Sequence, residues 1–471
     1  MAKLTFLGAV EGVTGSMYLL EANGQKFMLD CGLFQGRREE EAANHKPLPI
    51  ELSQLDGVIL SHAHLDHSGR LPLLVKEGYN GIILMTEPTL DLIEVLLKDS
   101  ASLQMRDAEW ENKRRRRGGK DTIQPLYTDE DVEQVLLQCQ GIEYYQTHEI
   151  GKGVSVCFHD AGHILGSSIV EITIDDHDRQ KKLVFTGDLG NSQAALLRDP
   201  DVLTEADVVM MESTYGDREH RSMQQTLDEF EAVIEAASEN GGNILIPSFA
   251  VGRTQEMIFR LGELYQQGKL RHQRIYLDSP MAIAVTEVYH RYQNVYNKTD
   301  RAAIEGDQKK NPHKSLHSFL PNLRYSQSTS ESMALNNIDR GAIIIAGSGM
   351  CNGGRIRHHL KHNLWRRQSH VIFVGYQAMG TPGRALIDGA QYFKIAGEEV
   401  VVKASLHTLG GFSAHASQSQ LIAWLNHFKS DNPPEVFLVH GEPETKEVLK
   451  AALSEHNWQA QIPQLGQSIT F

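Results

Sequence analysis

The N-terminal part of the chain alternates short apolar segments with tight polar turns. Between Lys3 and about Thr214, apolar residues recur at a spacing typical of strands. Asn23-Gly24 separates two alternating runs within Val13–Asp30, which is a strong signal for a two-residue hairpin. Ile169–Thr186 predicts a second hairpin, which turns around Asp176–Asp178.

Helices are predicted between these strands, and the pattern changes after about residue 216. Leu90–Arg106 and Asp129–Gln138 show helical periodicity, and Thr128 is a suitable N-cap for the second helix. From residue 217 to about residue 405, buried-type strands alternate with glycine-rich loops and helices. The clearest of these strands are Asn243–Ile246, Arg274–Leu277, Ala342–Ile345 and His370–Val374. Apolar strands separated by helices predict a parallel sheet with both faces covered, as in a small doubly wound domain.

Length and composition place the chain among globular proteins of more than one domain. With 471 residues it is too long for one ordinary core, and two or three domains are expected. The four cysteines are scattered and form no C-x-x-C pair, so neither a disulfide framework nor a thiolate zinc site is indicated. No apolar run approaches 18 residues and the N-terminus resembles a strand, so we expect a cytoplasmic protein without membrane contact.

The net charge bears on the kind of partner. A formal charge of −14 argues mildly against nucleic acid, because phosphate binding usually leaves a basic footprint. A local basic groove can, however, coexist with an acidic exterior. The main basic cluster is Lys113–Lys120, which either lines a nucleic-acid path or forms a solvated loop after the preceding helix. The sequence leaves both interpretations open.

One six-residue segment carries most of the chemical information. His62-Ala-His64-Leu-Asp66-His67 follows the apolar run Gly57–Leu60 and has the form H-x-H-x-D-H. Imidazole nitrogens suit Zn²⁺, and a carboxylate adds charge compensation. Because three imidazoles and a carboxylate can converge from one loop, the segment predicts a metal site. Surface histidines without a ligand are the alternative, and the density of the pattern disfavours it.

Further residues of metal-binding type stand at the ends of distant strands. His163 follows the apolar stretch Val154–Phe158, Asp188 follows Lys182–Val184, and His440 follows Val436–Val439. Each lies next to a glycine, where the backbone can approach a metal closely. A single polar residue at a strand end is often structural, but the three together with the first segment favour shared ligation.

These motifs resemble those of the β-CASP nucleases, which have the metallo-β-lactamase fold. Asp30, the H-x-H-x-D-H segment, His163 and Asp188 resemble the four successive motifs of that fold. Met211–Gly216, Gly411–Ala416 and Leu438–Glu442 resemble the later motifs A, B and C, and Ile246–Glu256 and Gly347–Cys351 resemble the insert. The resemblance spans essentially the whole chain, and the family includes RNase J and the endonuclease subunit of the pre-mRNA cleavage and polyadenylation machinery. One departure is Ser417, where many relatives carry Asp.

The resemblance implies an α/β architecture in which one domain interrupts another. We expect a metallo-β-lactamase αββα sandwich formed by residues 1–216 and completed by residues 406–471. A doubly wound parallel-sheet β-CASP domain, residues 217–405, is expected between them.

The resemblance also implies a role for each site residue. His62, His64 and His163 would hold one zinc ion, whereas Asp66, His67 and His440 would hold a second, with Asp188 bridging the two. His415 would be the general acid, oriented by Glu212, and these two count with Asp66 as the catalytic residues. Asp30 would support the ligand loop from behind. His45, His148, His159 and His407 lack such context and are interpreted as structural.

Two loops of the insert are candidates for contact with a phosphate backbone. Gly347–Arg355 and Gly375–Arg384 lie beyond the carboxyl ends of predicted strands, where ligands collect in doubly wound sheets. Exposed backbone N–H groups followed by arginine suit phosphate, although the glycines could merely turn the chain. The candidate RNA contacts are Ser348, Arg355, Arg384, Arg253 and Ser413. Neither loop matches a nucleotide-binding fingerprint, so no nucleotide cofactor is expected.

We therefore predict a ribonuclease with two Zn²⁺ ions per chain that acts on single-stranded RNA and leaves 3′-hydroxyl and 5′-phosphate ends. In the family a histidine in motif C, here His440, accompanies the RNA-cleaving branches. The alternatives are a DNA-directed β-CASP nuclease, a small-molecule lactonase or thioesterase, and a non-catalytic homologue, which the complete ligand set disfavours. Endonuclease and 5′→3′ exonuclease activity stay open, as does the oligomeric state, with a homodimer as one alternative.

Overall fold

The computed structural model describes residues 1–36, 38–176, 179–270, 274–306, 315–395, 397–428 and 432–471. Within these residues the chain forms two compact units, each assembled from more than one stretch of sequence. Unit 1 comprises Met1–Ser192, Asp199–Glu219 and His415–Phe471, and unit 2 comprises Gln193–Arg198 and His220–Ala414. No helix among the described residues is both long and apolar enough to cross a bilayer.

Unit 1 contains two seven-stranded sheets. The strands of the first are β1 (Lys3–Phe6), β2 (Tyr18–Ala22), β3 (Gln25–Leu29), β4 (Gly57–Ile59), β5 (Ile82–Thr86), β6 (Cys139–Ile142) and β22 (Ser468–Thr470), in the spatial order β22-β1-β2-β3-β4-β5-β6. Those of the second are β7 (Thr147–Gly151), β8 (Val154–Asp160), β9 (Ser168–Asp176), β10 (Arg179–Phe185), β11 (Val208–Met211), β20 (Glu435–Leu438) and β21 (Ala460–Gln461), in the order β21-β20-β11-β10-β9-β8-β7.

Both predicted hairpins are present. β2 and β3 pair antiparallel around Asn23-Gly24, whose positive φ angles of 51° and 79° suit a tight hairpin turn. β9 and β10 also pair antiparallel, with Asp176 opposite Arg179. The predicted turn residues 177 and 178 lie outside the described residues.

The main core of unit 1 lies between its two sheets. Alternate residues of each strand point into this layer, for example Phe6 and Tyr18 from the first sheet and Phe185 from the second. Val208 and Met210 of β11 join the same layer. The intervening residues of β11 face the opposite side, where they pack against the helices that follow motif B and motif C. Because β11 is buried on both faces, its sequence is continuously apolar.

Helices cover the outer faces of the two sheets. The helices of unit 1 are α1 (Arg38–Glu41), α2 (Leu65–Ser68), α3 (Leu71–Lys76), α4 (Glu87–Arg117), α5 (Asp129–Leu136), α14 (Gln418–Leu425) and α15 (Pro443–Glu455), with short 3-10 helices at Ala42–His45 and Leu52–Gln54. α4 packs against β5 and β6, and α14 and α15 supply apolar residues to the outer face of the second sheet. This layering confirms the expected αββα sandwich.

Helix α4 is longer than its sequence pattern predicted. The prediction ended at Arg106, where the apolar periodicity fades, but the helix continues to Arg117. Lys and Arg are good helix formers, and the i,i+4 ion pair between Glu109 and Lys113 supports the extension. The interpretation of the basic cluster as a loop was therefore wrong for Lys113–Arg117, which form the last turn and a half of α4. The next helix, α5, begins after Thr128 with a full capping box, as predicted.

Unit 2 is built on a six-stranded parallel sheet. Its strands are β12 (Ile244–Pro247), β13 (Arg274–Leu277), β14 (Leu323–Tyr325), β15 (Ala342–Ala346), β16 (His370–Phe373) and β19 (Ser405–Thr408), in the order β14-β13-β15-β12-β16-β19. β17 (Tyr392–Ile395) and β18 (Glu398–Val401) form a separate antiparallel pair. Every neighbouring pair described in the larger sheet is parallel, which confirms the prediction.

The helices of unit 2 connect these strands. They are α6 (Met223–Asn240), α7 (Arg253–Gln266), α8 (Pro280–Arg291), α9 (Lys298–Glu305), α10 (Leu316–Phe319), α11 (Thr329–Leu335), α12 (Ile356–Asn363) and α13 (Pro382–Ile387), with a 3-10 helix at Gln293–Val295. Ile344, Val371 and Phe373 of the sheet pack with Leu360 of α12 in a buried cluster.

Candidate active site

The ligand-type residues of unit 1 converge because of how β4 ends. His62 follows this strand, and His64 is the N-cap residue of the one-turn helix α2. The amides of His67 and Ser68 donate to the carbonyl of His64, at 3.0 and 2.9 Å, which closes the turn. The tight turn lets residues two to five positions apart present their side chains to one small volume.

The first cluster consists of three imidazoles and one carboxylate. His64 Nδ1 lies 3.2 Å from His62 Nε2 and 3.1 Å from His163 Nε2. Asp188 Oδ2 is 3.5 Å from the Nε2 atoms of both His62 and His163. One ligand atom from each of the four residues lies within 4.8 Å of all the others. Nitrogens that face one another in this way suit a shared cation.

The second cluster lies on the other side of Asp188. His67 Nε2 is 3.1 Å from His440 Nε2, which is 3.6 Å from Asp66 Oδ2. Asp188 Oδ1 is 3.3 Å from both His67 Nε2 and His440 Nδ1. This buried oxygen has no hydrogen-bond partner within the described residues. One carboxylate thus turns one oxygen to each cluster, which is the arrangement that a bridging ligand requires.

The environment of the imidazoles divides them into two kinds. Burial lowers the pKa of His62 well below its usual value and also lowers the pKa of His64, so both rings are neutral. Burial also lowers the pKa of His67, but the carboxylates of Asp188 and Asp30 outweigh it and raise that pKa well above its usual value. Because ligation needs a neutral ring, metal binding would displace a proton from His67.

The carboxylates of the two clusters are ionised. Burial raises the pKa of Asp66, but the hydrogen bond with His440 and the nearby imidazoles outweigh it, and the pKa falls to about 2. For Asp188, His440 and His67 overcome the same burial effect and lower the pKa well below its usual value. Ionised carboxylates beside histidines form the oxygen and nitrogen donor set that zinc prefers.

Asp30 supports the second cluster from behind. Its Oδ2 accepts from His67 Nδ1 at 2.7 Å and from the Ser16 hydroxyl at 2.9 Å, and its Oδ1 accepts from the Ser61 amide at 2.8 Å. A proton on Nδ1 leaves Nε2 of His67 free to face His440. Asp30 and His440 both have left-handed backbones, with φ of 58° and 51°, a conformation that non-glycine residues adopt rarely.

Glycine allows two ligand loops to approach each other. A Cβ atom at Gly190 would lie 2.0 Å from the carbonyl oxygen of Gly162, so no larger residue fits there without a shift of the backbone. Gly162 precedes His163, and Gly190 follows two residues after Asp188. This close backbone contact brings the loops that carry these two ligands together.

His415 and Glu212 form a pair beside the clusters. His415 Nδ1 lies 3.2 Å from Glu212 Oε1. Glu212 is fully buried and accepts from the Leu189 amide at 2.7 Å and from the Thr214 amide at 3.1 Å, so its position is fixed. The ring of Tyr215 stands at 90° to that of His415, with centroids 5.6 Å apart. Backbone donors and an aromatic neighbour thus hold the pair in place.

The charge state of His415 suits proton donation. Burial lowers its pKa, but the carboxylates of Glu212, Asp188 and Asp66 outweigh this effect and raise the pKa to about 9. The His415 ring is protonated at neutral pH, and 19% of its side chain is exposed to solvent. Its Nδ1 is 3.9 Å from Asp188 Oδ2, so an acid stands directly beside the first cluster.

The serine at position 417 has a carboxylate partner. Its hydroxyl donates to Glu219 at 2.8 Å, and Ser419 donates to the same carboxylate through its amide at 2.8 Å and its hydroxyl at 2.7 Å. Three hydrogen bonds to one charged group hold the loop two residues after His415. Glu219 therefore supplies a carboxylate next to position 417, where the family resemblance leads us to expect Asp.

Two residues that orient ligand rings had no role in the sequence analysis. The Thr214 hydroxyl lies 3.1 Å from His440 Nδ1, and the Ser61 hydroxyl lies 3.1 Å from His62 Nδ1. Their only sequence signal is that Ser61 follows a strand and precedes a ligand, whereas Thr214 follows β11 within motif A. The contact of Thr214 joins segments 226 residues apart, so the sequence could not reveal it.

The candidate RNA contacts belong to unit 2. Ser348, Arg384 and Arg253 follow the carboxyl ends of β15, β16 and β12, which are neighbours in the parallel sheet. The three arginines among the five candidates already form ion pairs, namely Arg253–Glu256, Arg355–Asp278 and Arg384–Asp388. Arg355 also donates to the carbonyls of Ser326 and Gln327. Phosphate would compete with these partners, and the role of the five residues in RNA binding stays a prediction.

Three family models match the chain. Residues 10–167 match the metallo-β-lactamase superfamily, residues 254–386 match the β-CASP domain, and residues 399–463 match the Zn-dependent metallo-hydrolase RNA specificity domain. These matches fall in the order in which the sequence motifs occur.

Several curated relatives match over most of the chain. Ribonuclease TTHA0252 of Thermus thermophilus is 40% identical over 98% of both chains. The RNase J-like protein of Methanocaldococcus jannaschii is 30% identical, over 94% of this chain and 93% of its own. The transcription termination factor FttA of the same organism is 32% identical, over 93% of this chain and 67% of its own length.

A solved structure from Enterococcus faecalis V583, titled as a protein of unknown function, aligns over 99% of both chains. Its TM-score is 0.54 and its sequence identity is 14%, so the likeness concerns the fold alone.

Proposed function

The chain belongs to the β-CASP family of metallo-β-lactamase-fold ribonucleases, and from this membership we propose the reaction that it catalyses. It is a metal-dependent hydrolase that acts on RNA. The proposed reaction is hydrolysis of internal phosphodiester bonds in single-stranded RNA with two zinc ions per chain. Its products carry 3′-hydroxyl and 5′-phosphate ends.

The observation that carries the proposal is the position of Asp188 between two complete ligand clusters. His62, His64 and His163 would hold one ion, and a second set would hold the other. That second set is Asp66, His67 and His440. The orphaned buried oxygen of Asp188 fits a cation, because an unpaired buried carboxylate oxygen is otherwise costly. When bound, the ions supply Lewis acidity that activates water near neutral pH and neutralises charge on the phosphate.

The chain's own residues supply the proton that the leaving group needs. Hydrolysis breaks the bond between phosphorus and the 3′-oxygen of ribose, and that oxygen must gain a proton as it departs. Glu212 contacts Nδ1 of His415, so Nε2 carries the second proton of the charged ring and is the proposed donor atom. The carboxylate of Glu212 also stabilises the charged ring before transfer. His415 is therefore the proposed general acid, and Glu212 its orienting partner.

We propose RNA as the substrate, and not a lactone or a thioester, for two reasons. Two similar proteins are named as a ribonuclease and as a transcription termination factor, and the name of one matched family model includes RNA specificity. A lactonase or thioesterase needs no domain like unit 2, which occupies most of residues 193–414. A cytoplasmic location and a homodimer stay predictions.

The test uses one single-stranded RNA labelled separately at its 5′ and 3′ ends. Internal cleavage should give a ladder of labelled fragments from the 5′-labelled RNA and another from the 3′-labelled RNA. A 5′→3′ exonuclease instead releases only mononucleotides from the 5′ end. Ligation and phosphatase treatment of the fragments should identify 3′-hydroxyl and 5′-phosphate ends. DNA of the same sequence, a lactone and a thioester serve as parallel substrates. An enzyme that opens the lactone quickly and leaves the RNA intact would overturn the proposal.

A further inference from the structure

Helix α4 of unit 1 ends in a basic segment that the proposed mechanism does not use. The helix runs from Glu87 to Arg117, and its first half is buried against the sheet. After Ala108 its residues are exposed or half-buried. Between Arg106 and Lys120 there are seven basic and three acidic residues, in a chain whose formal net charge is −14. We define the segment 106–120 as the α4 tip.

The α4 tip carries an exposed indole among its cationic side chains. Trp110 is 65% exposed, although tryptophan is normally among the most buried residues of a folded protein. Lys113 and Arg114 are 64% and 70% exposed, three and four residues further along the helix. Because residues three, four and seven positions apart share a helix face, Trp110 lies on one face with Lys113, Arg114 and Arg117.

The tip is an ordered structure. The side chain of Asn112 donates to the carbonyl of Ile123 at 2.8 Å and accepts from its amide at 2.7 Å. Gly118 caps the helix, and the amide of Lys120 donates to the carbonyl of Arg115 at 2.9 Å. The returning chain is therefore fastened along the last two turns, which holds the cationic face in a defined position.

Helix stability alone does not account for this composition. Positive side chains near a C-terminus interact favourably with the helix dipole, but the effect is confined to the last turn. Glu109 and Glu111 pair with Lys113 and Arg114, at 2.8 and 3.8 Å, and both acidic side chains precede the arginine run. From Arg114 to Lys120 no acidic residue follows. An exposed indole contributes nothing to the dipole and exposes apolar surface to water.

We propose that the α4 tip is a second binding site for single-stranded RNA, separate from the metal clusters. Arginine and lysine would contact the phosphates, and Trp110 would stack on a base, which is how proteins bind single strands without sequence preference. The proposal rests on the proposed function, because the RNA bound there is the substrate. A second copy of the chain is the other occupant to consider, since its acidic surface would also attract a basic face.

The length of α4 places the tip far from the ligand loop that carries His163. At the start of α4, the hydroxyls of Thr86 and Thr89 donate to the carbonyl of Gly166, at 2.7 and 2.8 Å, three residues after the ligand His163. Thirty-one helical residues span about 46 Å. Trp110 therefore lies about 32 Å along the helix from Thr89, and Arg117 about 42 Å. Only a long RNA can contact both sites, so the α4 tip would favour long substrates over short ones.

The test compares full-length wild-type protein with two variants. One is Trp110→Ala, and the other is the triple variant Lys113→Gln, Arg114→Gln, Arg117→Gln, which keeps good helix formers. The matched control removes three basic residues of unit 1 outside α4, namely Lys152→Gln, Arg179→Gln and Lys450→Gln. Affinity and kcat/KM are measured with labelled single-stranded RNAs of about 4 and about 40 nucleotides, the first at the lower limit and the second well above the size of a typical single-strand site.

Each α4 variant should bind the long RNA about 10-fold more weakly than wild type, with kcat/KM for the short RNA within about twofold. The triple variant should also lower the slope of log affinity against log salt by about 2, and the control should change neither quantity. Equal binding of the long RNA by all proteins would overturn the proposal, as would a loss that is equal for both lengths. If Trp110→Ala changes the oligomeric state in solution and leaves RNA binding unchanged, the tip is a protein interface and the proposal is overturned.

Failure of the proposed function gives a different result. If wild type cleaves neither RNA, the nuclease assignment fails, but binding of the long RNA by wild type and variants still tests the α4 tip.

Discussion

At the scale of single residues, Asp188 is the side chain that faces both ligand clusters. Each of its oxygens lies 3.3–3.5 Å from two imidazole nitrogens, and one of them has no hydrogen-bond partner among the described atoms. His415 lies beside Asp188 but is anchored to Glu212, which the backbone holds in turn. Asp188, Glu212 and His415 are also close enough to share a cation. Mutation therefore distinguishes the proposed proton transfer by His415 from a role in holding metal.

Replacing the proposed acid should slow turnover and leave the metal content unchanged. His415→Ala should lower kcat on RNA by about 10²–10⁴-fold, because the departing ribose oxygen then lacks its proton donor. Glu212→Gln should act on the same step, and the double variant should be little worse than His415→Ala alone, since residues that act as a unit are not additive. Steady-state kinetics and elemental analysis of each purified variant provide the measurement.

A substrate with a good leaving group is the control for this prediction. A nitrophenyl phosphodiester needs little protonation, so its hydrolysis should suffer much less from His415→Ala than RNA cleavage does. Loss of a metal ion from His415→Ala would instead identify the residue as a ligand, and normal RNA cleavage would place the acid elsewhere.

The contact between Ser417 and Glu219 predicts a rescue by exchange. Ser417→Asp alone would place two carboxylates in contact and should lower kcat by about 10-fold or more, because the loop that carries His415 shifts. Adding Glu219→Ser moves the carboxylate to position 417 and restores the pair. Activity of the double variant should return to within a few-fold of wild type, as judged by kcat on RNA. A double variant as slow as Ser417→Asp would show that this contact does not position the loop.

Strand ends organise the site at the scale of secondary-structure elements. The ligands follow β4, β8, β10 and β20, which lie in the two packed sheets of unit 1. Because every such strand is held by its neighbours, each loop starts from a fixed point and the ligands need little further ordering. Elsewhere in the second sheet, polar side chains of β8, β9 and β10 contact one another.

His159 of β8 should contribute to stability in a way that depends on pH. Burial lowers its pKa, but hydrogen bonds with Cys157 and with Glu171 of β9 outweigh it and raise the pKa to about 9. A group whose pKa is higher in the folded than in the unfolded protein stabilises fully below its unfolded pKa of about 6.5 and loses this effect as pH rises through about 9. His159→Gln should therefore cost about 1–2 kcal/mol at pH 6 and little at pH 10.

Melting temperatures of wild type and His159→Gln across this pH range provide the measurement. A constant difference between wild type and His159→Gln from pH 6 to pH 10 would contradict the assignment of the charge.

At the scale of the whole molecule, metal binding and the stability of unit 1 should be coupled. The seven ligands predicted from the sequence all belong to this unit and lie between residues 62 and 440 of the chain. Metal bound to the folded protein alone stabilises it by mass action. We expect two zinc ions per chain, and chelation should lower the melting temperature by about 5–10 °C, with recovery on adding zinc.

Asp188→Ala should lose more metal than His440→Ala, because the carboxylate faces both clusters and the imidazole only one. Elemental analysis after purification without chelator decides between them. One metal ion per wild-type chain, or equal losses in the two variants, would contradict the bridging arrangement.

The sequence by itself determined the features that depend on neighbouring residues. The hairpin at Asn23-Gly24, the capped start of α5 and the parallel sheet of unit 2 follow from local turn chemistry and from continuous apolar runs. The candidate ligands were also visible, because histidines and carboxylates next to glycine at strand ends are a local pattern. The end of α4 was missed, since its exposed last turns depend on charged helix formers and not on apolar periodicity.

Only the tertiary structure decided which of these residues meet. His415 and Glu212 are 203 residues apart, and Ser417 and Glu219 are 198 apart, so their contacts depend on the order of strands in space. The same holds for the two faces of Asp188 and for the ring partners Ser61 and Thr214. The physical reason is that a hydrogen bond needs atoms about 3 Å apart, and the packing of distant segments sets that distance.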